Sequence, residues 1–473
     1  MRRIIGRKRE QEELNNLLDS TKSEFVAIYG RRRVGKTFLV RSVLERRFTF
    51  FASGLQSGSY AEQIKNINEE VVNFGGSSLK PASNWSEAFT NIRLLVDKAP
   101  KEEKKVIFLD EVPWMSSKNS GFLSALDHFW NRWISMRNDV LLIVCGSATS
   151  WILDNIVNNV GGLHNRLTAQ LLLSPFTLHE CEEFFIDSGV NLPRFQILEA
   201  YMIFGGIPYY LDLFKPNRSL AQNVDLLYFS KDGPLRNEYN NLYPALFAQP
   251  EGYIKVIEAL ASKKSGLIRE EIATKAKITS GGRLTRVLQD LINCGFIQEY
   301  FAFGKQLRGK TYQLIDMFTL FHLTFGNRQR RGDGGFWLHF SVTPAHASWS
   351  GFAFELVCMK HINQLKMALG ISGVQTEIST WRSRESSSVA QIDLIIDRSD
   401  QIIHLCEMKY SSSEYIIDKS YSDKLRRRSG IFVSETKTNK AVHTTLVTTY
   451  GLIKNTYSKE IIFQLDMSDL FRN

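Results

Sequence analysis

No stretch of the sequence approaches the roughly 18 uninterrupted apolar residues that a membrane-spanning helix needs, so no membrane partner is expected. The basic start Met1-Arg2-Arg3-Ile4-Ile5-Gly6-Arg7 has no apolar run behind it, so no export signal is read there and a cytoplasmic location is expected. Cysteine is scarce. Cys145, Cys181, Cys294, Cys358 and Cys406 lie far apart, mostly within apolar runs, without the CxxC or CxxH spacing of a zinc site, and are expected as reduced core residues. Compositional bias is missing too: 43% apolar and 23% charged residues exclude a disordered or fibrous chain.

What is present is length and positive charge. A chain of 473 residues exceeds what one hydrophobic core organises, and several domains are expected. A formal charge of +10 and a pI near 9.2 favour association with polyanions, a class that includes nucleic acid.

Residues Glu24-Phe-Val-Ala-Ile-Tyr-Gly30 form a short apolar run ending in glycine, the pattern of a buried parallel strand that stops at a tight turn. Gly30-Arg31-Arg32-Arg33-Val34-Gly35-Lys36-Thr37 follows and fits GxxxxGK[ST], and from Phe38 onward the apolar residues take helical spacing. Glycines let backbone N–H groups curl around phosphates, and the new helix aims its positive end at the same charge. In this reading Lys36 reaches the β- and γ-phosphates of ATP, and the Thr37 hydroxyl ligates Mg²⁺. A second buried-strand pattern, Lys105-Val-Ile-Phe-Leu-Asp110-Glu111, ends in two carboxylates. Asp110 is placed for the Mg²⁺ shell and Glu111 for general-base activation of water, so hydrolysis is expected. A third strand, Val140 to Cys145, ends in Gly146-Ser147-Ala-Thr149; Ser147 is the first candidate for sensing the γ-phosphate or the attacking water, and Thr149 the second.

From Leu178 to about Phe247 apolar residues recur at helical spacing, consistent with a helical lid, interrupted at Gly205-Gly206-Ile-Pro208 where the element must break. Residues 252 to about 325 read as a winged helix: three short amphipathic helices, then a hairpin from Gly295-Phe-Ile-Gln-Glu-Tyr and Gly309-Lys-Thr-Tyr-Gln-Leu. Arg283 and Arg286 on the third helix and Lys305, Arg308 and Lys310 in the wing suit phosphate contact. A packing module between larger domains stays equally open. Arg328, Arg330 and Arg331 begin a polar, glycine-rich linker.

Near the C-terminus, Gln391-Ile-Asp393-Leu-Ile-Ile and Ile402-Ile-His-Leu-Cys-Glu407-Met-Lys409 read as two strands joined by a short turn, which brings Asp393 and Glu407 side by side and puts Glu407 and Lys409 on one face. Glu355, on a preceding amphipathic helix, completes the cluster. A divalent ion between carboxylates neutralises a phosphodiester and activates water, so Asp393 and Glu407 are the second candidate metal pair. The run from Lys419 through Tyr421 and Lys424 to Arg426-Arg427-Arg428 offers a further basic stretch.

Across nearly its whole length the chain resembles the archaeal and bacterial AAA-type ATPases that join an ATPase domain to a C-terminal nuclease-like domain. The likeness rests on Ile5-Gly6-Arg7-x-x-Glu10, the phosphate loop, Leu109-Asp110-Glu111, Cys145-Gly-Ser147, Gly205-Gly-Ile-Pro208-x-Tyr210, Gly351-x-x-Phe354-Glu355, Asp393, Glu407-x-Lys409 and Thr448-x-Tyr450-Gly451-Leu-Ile. By that resemblance Arg166, in Gly161-Gly-Leu-His-Asn165-Arg166-Leu, serves as an arginine finger, within its own subunit or across an interface in a homo-oligomer. Asn165 stands where the family pattern has glycine. The C-terminal residues look like the PD-(D/E)XK nuclease fold, in which Glu355, Asp393, Glu407 and Lys409 form the catalytic set.

The expected architecture is a multidomain α/β chain: a P-loop ATPase core with a parallel sheet over residues 1–176, a helical lid over 177–250, a winged helix over 251–327 and a restriction-endonuclease-like α/β domain over 328–473. The expected function is ATP hydrolysis coupled to DNA binding or to metal-dependent DNA cleavage. A nucleotide-dependent switch or scaffold that binds DNA or a protein without cutting stays open, as does an ATPase with an inert C-terminal remnant.

Overall fold

The computed structural model describes residues 3–100, 102–117, 119–158, 163, 165–304, 310–326, 335–383 and 390–473. Lys305, Arg308, Arg328, Arg330 and Arg331 lie outside the described residues. The chain divides into two compact units, residues 1–175 and 176–473.

The first unit is built on five parallel strands: β1 (Glu24–Tyr29), β2 (Phe48–Ser53), β3 (Lys105–Asp110), β4 (Val140–Gly146) and β5 (Ala169–Leu172), in the order β2-β3-β4-β1-β5. β3 and β4 are buried along their whole length and β1 nearly so, as expected of strands covered on both faces. Each fully buried Val, Leu, Ile or Phe there contributes about 1.5–3 kcal/mol, so the sheet centre is the rigid part of the unit. The central strands end side by side, and the loops leaving β1, β3 and β4 share that edge. Helices Tyr60–Asn73 and Trp85–Lys98 cover one face, both N-capped by side chains, Ser59 and Asn84.

The second unit begins with helices Leu178–Asp187, Arg194–Phe204, Pro208–Leu211, Leu220–Val224 and Glu238–Leu242, the segment expected as a lid. Its break is dictated by backbone. Gly205 and Gly206 both have φ near +70°, and a Cβ on Gly206 would stand 2.4 Å from the Phe176 carbonyl oxygen, while Pro208 starts the next helix at a position that needs no N–H.

Helix Glu251–Ala261, β6 (Leu267–Ile268), helices Arg269–Ala276 and Gly282–Asn293, and the antiparallel pair β7 (Ile297–Ala302) and β8 (Thr311–Leu314) follow in that order, with β6 pairing β8. Helix Met317–Phe325 continues the chain, and helix Pro344–Lys360 carries Glu355. From Trp349 onward the latter helix is buried on most sides, while Pro344, Ala345, Ala347 and Ser348 are exposed, so its expected amphipathic pattern gives way to a helix that runs into the core. β9 (Thr376–Arg382), β10 (Gln391–Arg398), β11 (Ile402–Lys409), helix Lys419–Thr436, β12 (Ala441–Thr448) and β13 (Phe463–Leu465) complete the unit.

β7 pairs in parallel with β9 through Phe301↔Ser379 and Ala302↔Thr380, so all eight strands form one sheet, β13-β12-β11-β10-β9-β7-β8-β6. The segments expected as lid, winged helix and C-terminal domain therefore form one compact unit. The first helices are fastened to the C-terminal strands as well. Phe195 stacks against Tyr410 and Tyr450, the Tyr410 hydroxyl donates to Glu199 at 2.8 Å, and the buried His361 ring, which follows the Glu355 helix, accepts from the Leu178 N–H at 3.0 Å.

All five cysteines are free and buried. Among the described residues no helix is long and apolar enough to cross a membrane.

Candidate functional site

The loop after β1 takes backbone conformations that only certain residues tolerate. Gly30 has φ +142° and a Cβ there would stand 2.2 Å from the Leu173 carbonyl oxygen; Arg33 and Gly35 have φ +70° and +92°. Such alternation turns successive N–H groups inward, the arrangement that receives phosphate, at the start of helix Lys36–Leu44. Arg31 and Val34 are buried, Arg32 is partly buried, and Phe38 is exposed on the first helical turn. The Lys36 ammonium is buried and donates to the carbonyls of Gly30 and Arg31 at 2.9 and 3.0 Å, within the loop itself. Arg7, to which the sequence reading assigned no role, reaches the Val34 carbonyl at 3.4 Å and so braces the loop from the N-terminal segment.

Thr37 donates its hydroxyl proton to Asp110 Oδ2 at 2.7 Å, and the Glu111 N–H donates to Asp110 Oδ1 at 3.0 Å. Both Asp110 oxygens therefore face neutral donors, and Thr37 keeps its oxygen lone pairs. A hydroxyl oxygen beside a carboxylate is the hard donor set that Mg²⁺ takes, so these residues fit that ion. Glu111 sits at φ +48° directly after β3. Its carboxylate accepts the Ser147 N–H at 3.0 Å and the Ser147 hydroxyl at 2.9 Å. Burial pushes the Glu111 carboxyl above the ordinary carboxylate range, with Lys36 pulling the other way, which suits a group that takes a proton from water.

The structure thus brings Lys36, Thr37, Asp110, Glu111 and Ser147 together through hydrogen bonds or a shared loop, and Ser147 is bonded to Glu111. Thr149 is 1% exposed at the start of the following helical turn, and its hydroxyl has no partner among the described residues. Arg166 is exposed shortly before β5, next to Asn165. Asn165 has φ +55°, the left-handed conformation that glycine takes most easily and asparagine tolerates best among the others, which explains how it serves at that position.

In the second unit β10 and β11 run antiparallel with Leu394 opposite Cys406, which places Asp393 and Glu407 as neighbours across the strands. Asp393 Oδ1 accepts from Gln391 at 2.5 Å, and burial pushes its carboxyl upward. Glu355 is pushed up to about 8, by burial first and by the Asp393 charge next. Glu407 behaves oppositely. Burial alone would raise it, but Lys409 at 2.8 Å and Arg428 hold it below its ordinary range, and the Tyr421 hydroxyl donates to it at 2.8 Å.

Asp393 and Glu407, the expected metal pair, stand side by side, with cations paired to Glu407. Cations already flank both Glu407 oxygens, and among the described residues no group of three or more His, Cys, Asp and Glu side chains is arranged to hold a metal ion. In sequence Arg428 and Tyr421 belong to the basic stretch of one helix, and their spacing of seven residues, which puts both on one face, is the signal that pairs them at Glu407.

The comparisons agree with the geometry of the first unit. The model of a family described as an ATPase domain predominantly from Archaea matches residues 5–214. An uncharacterized protein of Methanocaldococcus jannaschii is 26% identical over 433 residues, covering 90% of this chain and 91% of that protein. An uncharacterized ATP-binding protein of the same organism is 42% identical over 44 residues, which are 9% of this chain and 75% of that protein. Among solved structures, the Walker-type ATPase of Pyrococcus abyssi is similar with a TM-score of 0.52 at 20% identity, covering 68% of this chain and 97% of that one, a likeness of fold.

Proposed function

We propose, for a chain whose residues 5–214 match the model of an ATPase-domain family predominantly from Archaea, an ATP-hydrolysing enzyme that couples nucleotide turnover to DNA binding by its second unit. One observation carries the first half: Thr37, Asp110, Glu111 and Ser147 form a continuous hydrogen-bonded set beside the phosphate loop. In this reading the loop N–H groups and Lys36 hold the β- and γ-phosphates, and Glu111 orients the attacking water and accepts its proton. Thr37 and Asp110 would hold Mg²⁺, whose chemistry there is to neutralise charge on the phosphates. Arg166 as a finger, in its own subunit or in another copy, belongs to the same proposal.

The DNA half rests on the overall charge of +10 and on the helix, strand and hairpin order of residues 251–314, which is that of a winged helix, with Arg283 and Arg286 exposed on its third helix. A second reading, in which the C-terminal set cleaves DNA, is favoured by Glu355 and Asp393 lining one cavity and by Lys409 beside Glu407.

The purified full chain and its Lys36→Ala and Asp393→Ala variants, incubated with linear, circular and single-stranded DNA, Mg²⁺ or Mn²⁺, and ATP or none, separate these readings. Lys36→Ala is expected to abolish ATP hydrolysis; retention of full turnover would refute the ATPase assignment. DNA retention without cutting is the expected result for the wild type. Cutting that vanishes in Asp393→Ala establishes the second reading instead.

A further inference from the structure

The β7–β9 pairing has a chemical result beyond the sheet. It closes a cleft of about 820 Å³ whose one wall comes from the segment around β6 and β7 and whose other wall holds Glu355 and Asp393. Lys264, between helix Glu251–Ala261 and β6, crosses that cleft. Its ammonium donates to the Ser348 carbonyl at 3.3 Å and lies 5.4 Å from the centre of the Phe352 ring. Residues 348, 352 and 355 share one face of their helix, so a charge delivered to Ser348 and Phe352 lies along the row that ends at Glu355. On the opposite side Arg382 donates to Gln391 at 3.1 Å, and Gln391 donates to Asp393 at 2.5 Å, which ties a second cation to the acids.

Two further features point to a ligand. The Tyr300 hydroxyl has no hydrogen-bond partner among the described residues although the residue is only 3% exposed and lines the cleft. A buried hydroxyl without a partner costs on the order of 1–3 kcal/mol, which an incoming acceptor would recover. Aromatic groups accompany the cations: half-buried Phe303 lines the cleft, backed by Trp381, which is buried against Phe432. Cations that follow a backbone beside rings on which bases stack are the elements of single-strand recognition. The volume decides between strand forms: about 820 Å³ lies within the range of roughly 300–1,000 Å³ typical of small-molecule pockets, enough for an unpaired stretch of a few nucleotides and too small for a duplex.

We propose that this cleft binds single-stranded DNA, with Lys264 and Arg382 holding the phosphates before Glu355 and Asp393. The inference rests on the reading of the second unit as a DNA-binding body, and it makes the β6–β8 segment a fixed wall of the carboxylate site. The site is complete without any docking of that segment onto the C-terminal strands.

The test is fluorescence anisotropy of a labelled oligo(dT) and of a blunt duplex of equal length, titrated with the full chain in EDTA across a salt series. The wild type is expected to bind the single strand at least about tenfold more tightly than the duplex. Lys264→Met is expected to weaken single-strand binding severalfold and to reduce the slope of log affinity against log salt by about 0.7, the contribution of one phosphate contact on a single strand. Lys264→Glu is expected to weaken it further, and Asp393→Asn to leave it equal or strengthen it, because a negative charge is removed. Melting temperatures equal to wild type show that the Lys264 variants are folded; as a second probe, Arg382→Gln is expected to reproduce the slope change. If duplex is bound and the cleft variants change nothing, this inference falls while the DNA reading stands. If neither DNA form is bound by the wild type, both fall.

Discussion

The two carboxylate groups of this chain are built alike and partnered differently. Asp110 and Glu111 leave the end of a buried strand and, among the described residues, take neutral hydrogen-bond donors, including a threonine hydroxyl, a serine hydroxyl and backbone N–H groups. Glu407 also sits near the end of a buried strand, yet its oxygens meet Lys409, Arg428 and the Tyr421 hydroxyl. Neutral donors orient a carboxylate and leave its charge to act on whatever cation or proton arrives, whereas cationic partners consume that charge on the spot. The first group is therefore arranged for chemistry as it stands. Unlike Glu407, Glu355 and Asp393 form no ion pair among the described residues, and both line the cleft.

The largest expected effect sharpens that contrast. Glu111→Gln keeps the size and removes the base, so ATP turnover should fall by about 10²–10⁴-fold with nucleotide affinity retained, read from steady-state hydrolysis and from equilibrium binding of a nucleotide analogue. Glu407→Gln in the same assay should leave turnover within a factor of about two. A fall of comparable size in the second variant would break the comparison.

Next in size is an effect on stability at Glu355. Its carboxyl rises from 4.5 to about 8, chiefly through burial. The folded state thus favours the protonated form, and the associated stability is fully present below about pH 4.5 and is lost as pH climbs through 8. Glu355→Gln mimics the protonated group permanently. Its melting temperature should match wild type near pH 5 and exceed it at pH 8.5, by an amount corresponding to on the order of 2–4 kcal/mol. An identical difference at both pH values would show that Glu355 titrates as an ordinary carboxyl.

Much of the first site was legible because its information is local. Each element that supplies a side chain ends in it: β1 runs into the phosphate loop, β3 ends at Asp110, and β4 leads to Ser147. The β10–β11 hairpin was legible for the same reason, since a short turn fixes which residues face each other. What could not be read were partner choices between distant segments. The β7–β9 pairing involves two residues on each strand, separated by more than seventy positions, and no periodicity announces it. It merges segments that pattern alone had kept apart. Arg428 on Glu407, Lys264 across the cleft and His361 on the Leu178 N–H are contacts of the same kind, between residues whose own neighbourhoods fit an ordinary surface helix, a turn and a helix end.

The smallest expected effect concerns how Glu111 is held, and it tests whether neutral donors do more than orient. Two hydrogen bonds from Ser147 favour the ionised form of Glu111 against the burial that opposes it. Ser147→Ala removes the hydroxyl and keeps the N–H, so one of the three influences that lower the carboxyl disappears, while the Ser147 N–H and the Lys36 charge remain. The Glu111 carboxyl should then rise further, and the acid limb of the turnover profile should move to higher pH, with kcat several-fold lower at neutral pH and recovering as pH increases. A role confined to packing would lower kcat equally at every pH. Ser147→Thr, which restores a hydroxyl donor, should return the acid limb toward its wild-type position, and failure of that rescue together with an unshifted profile would place the control of Glu111 in the backbone N–H alone.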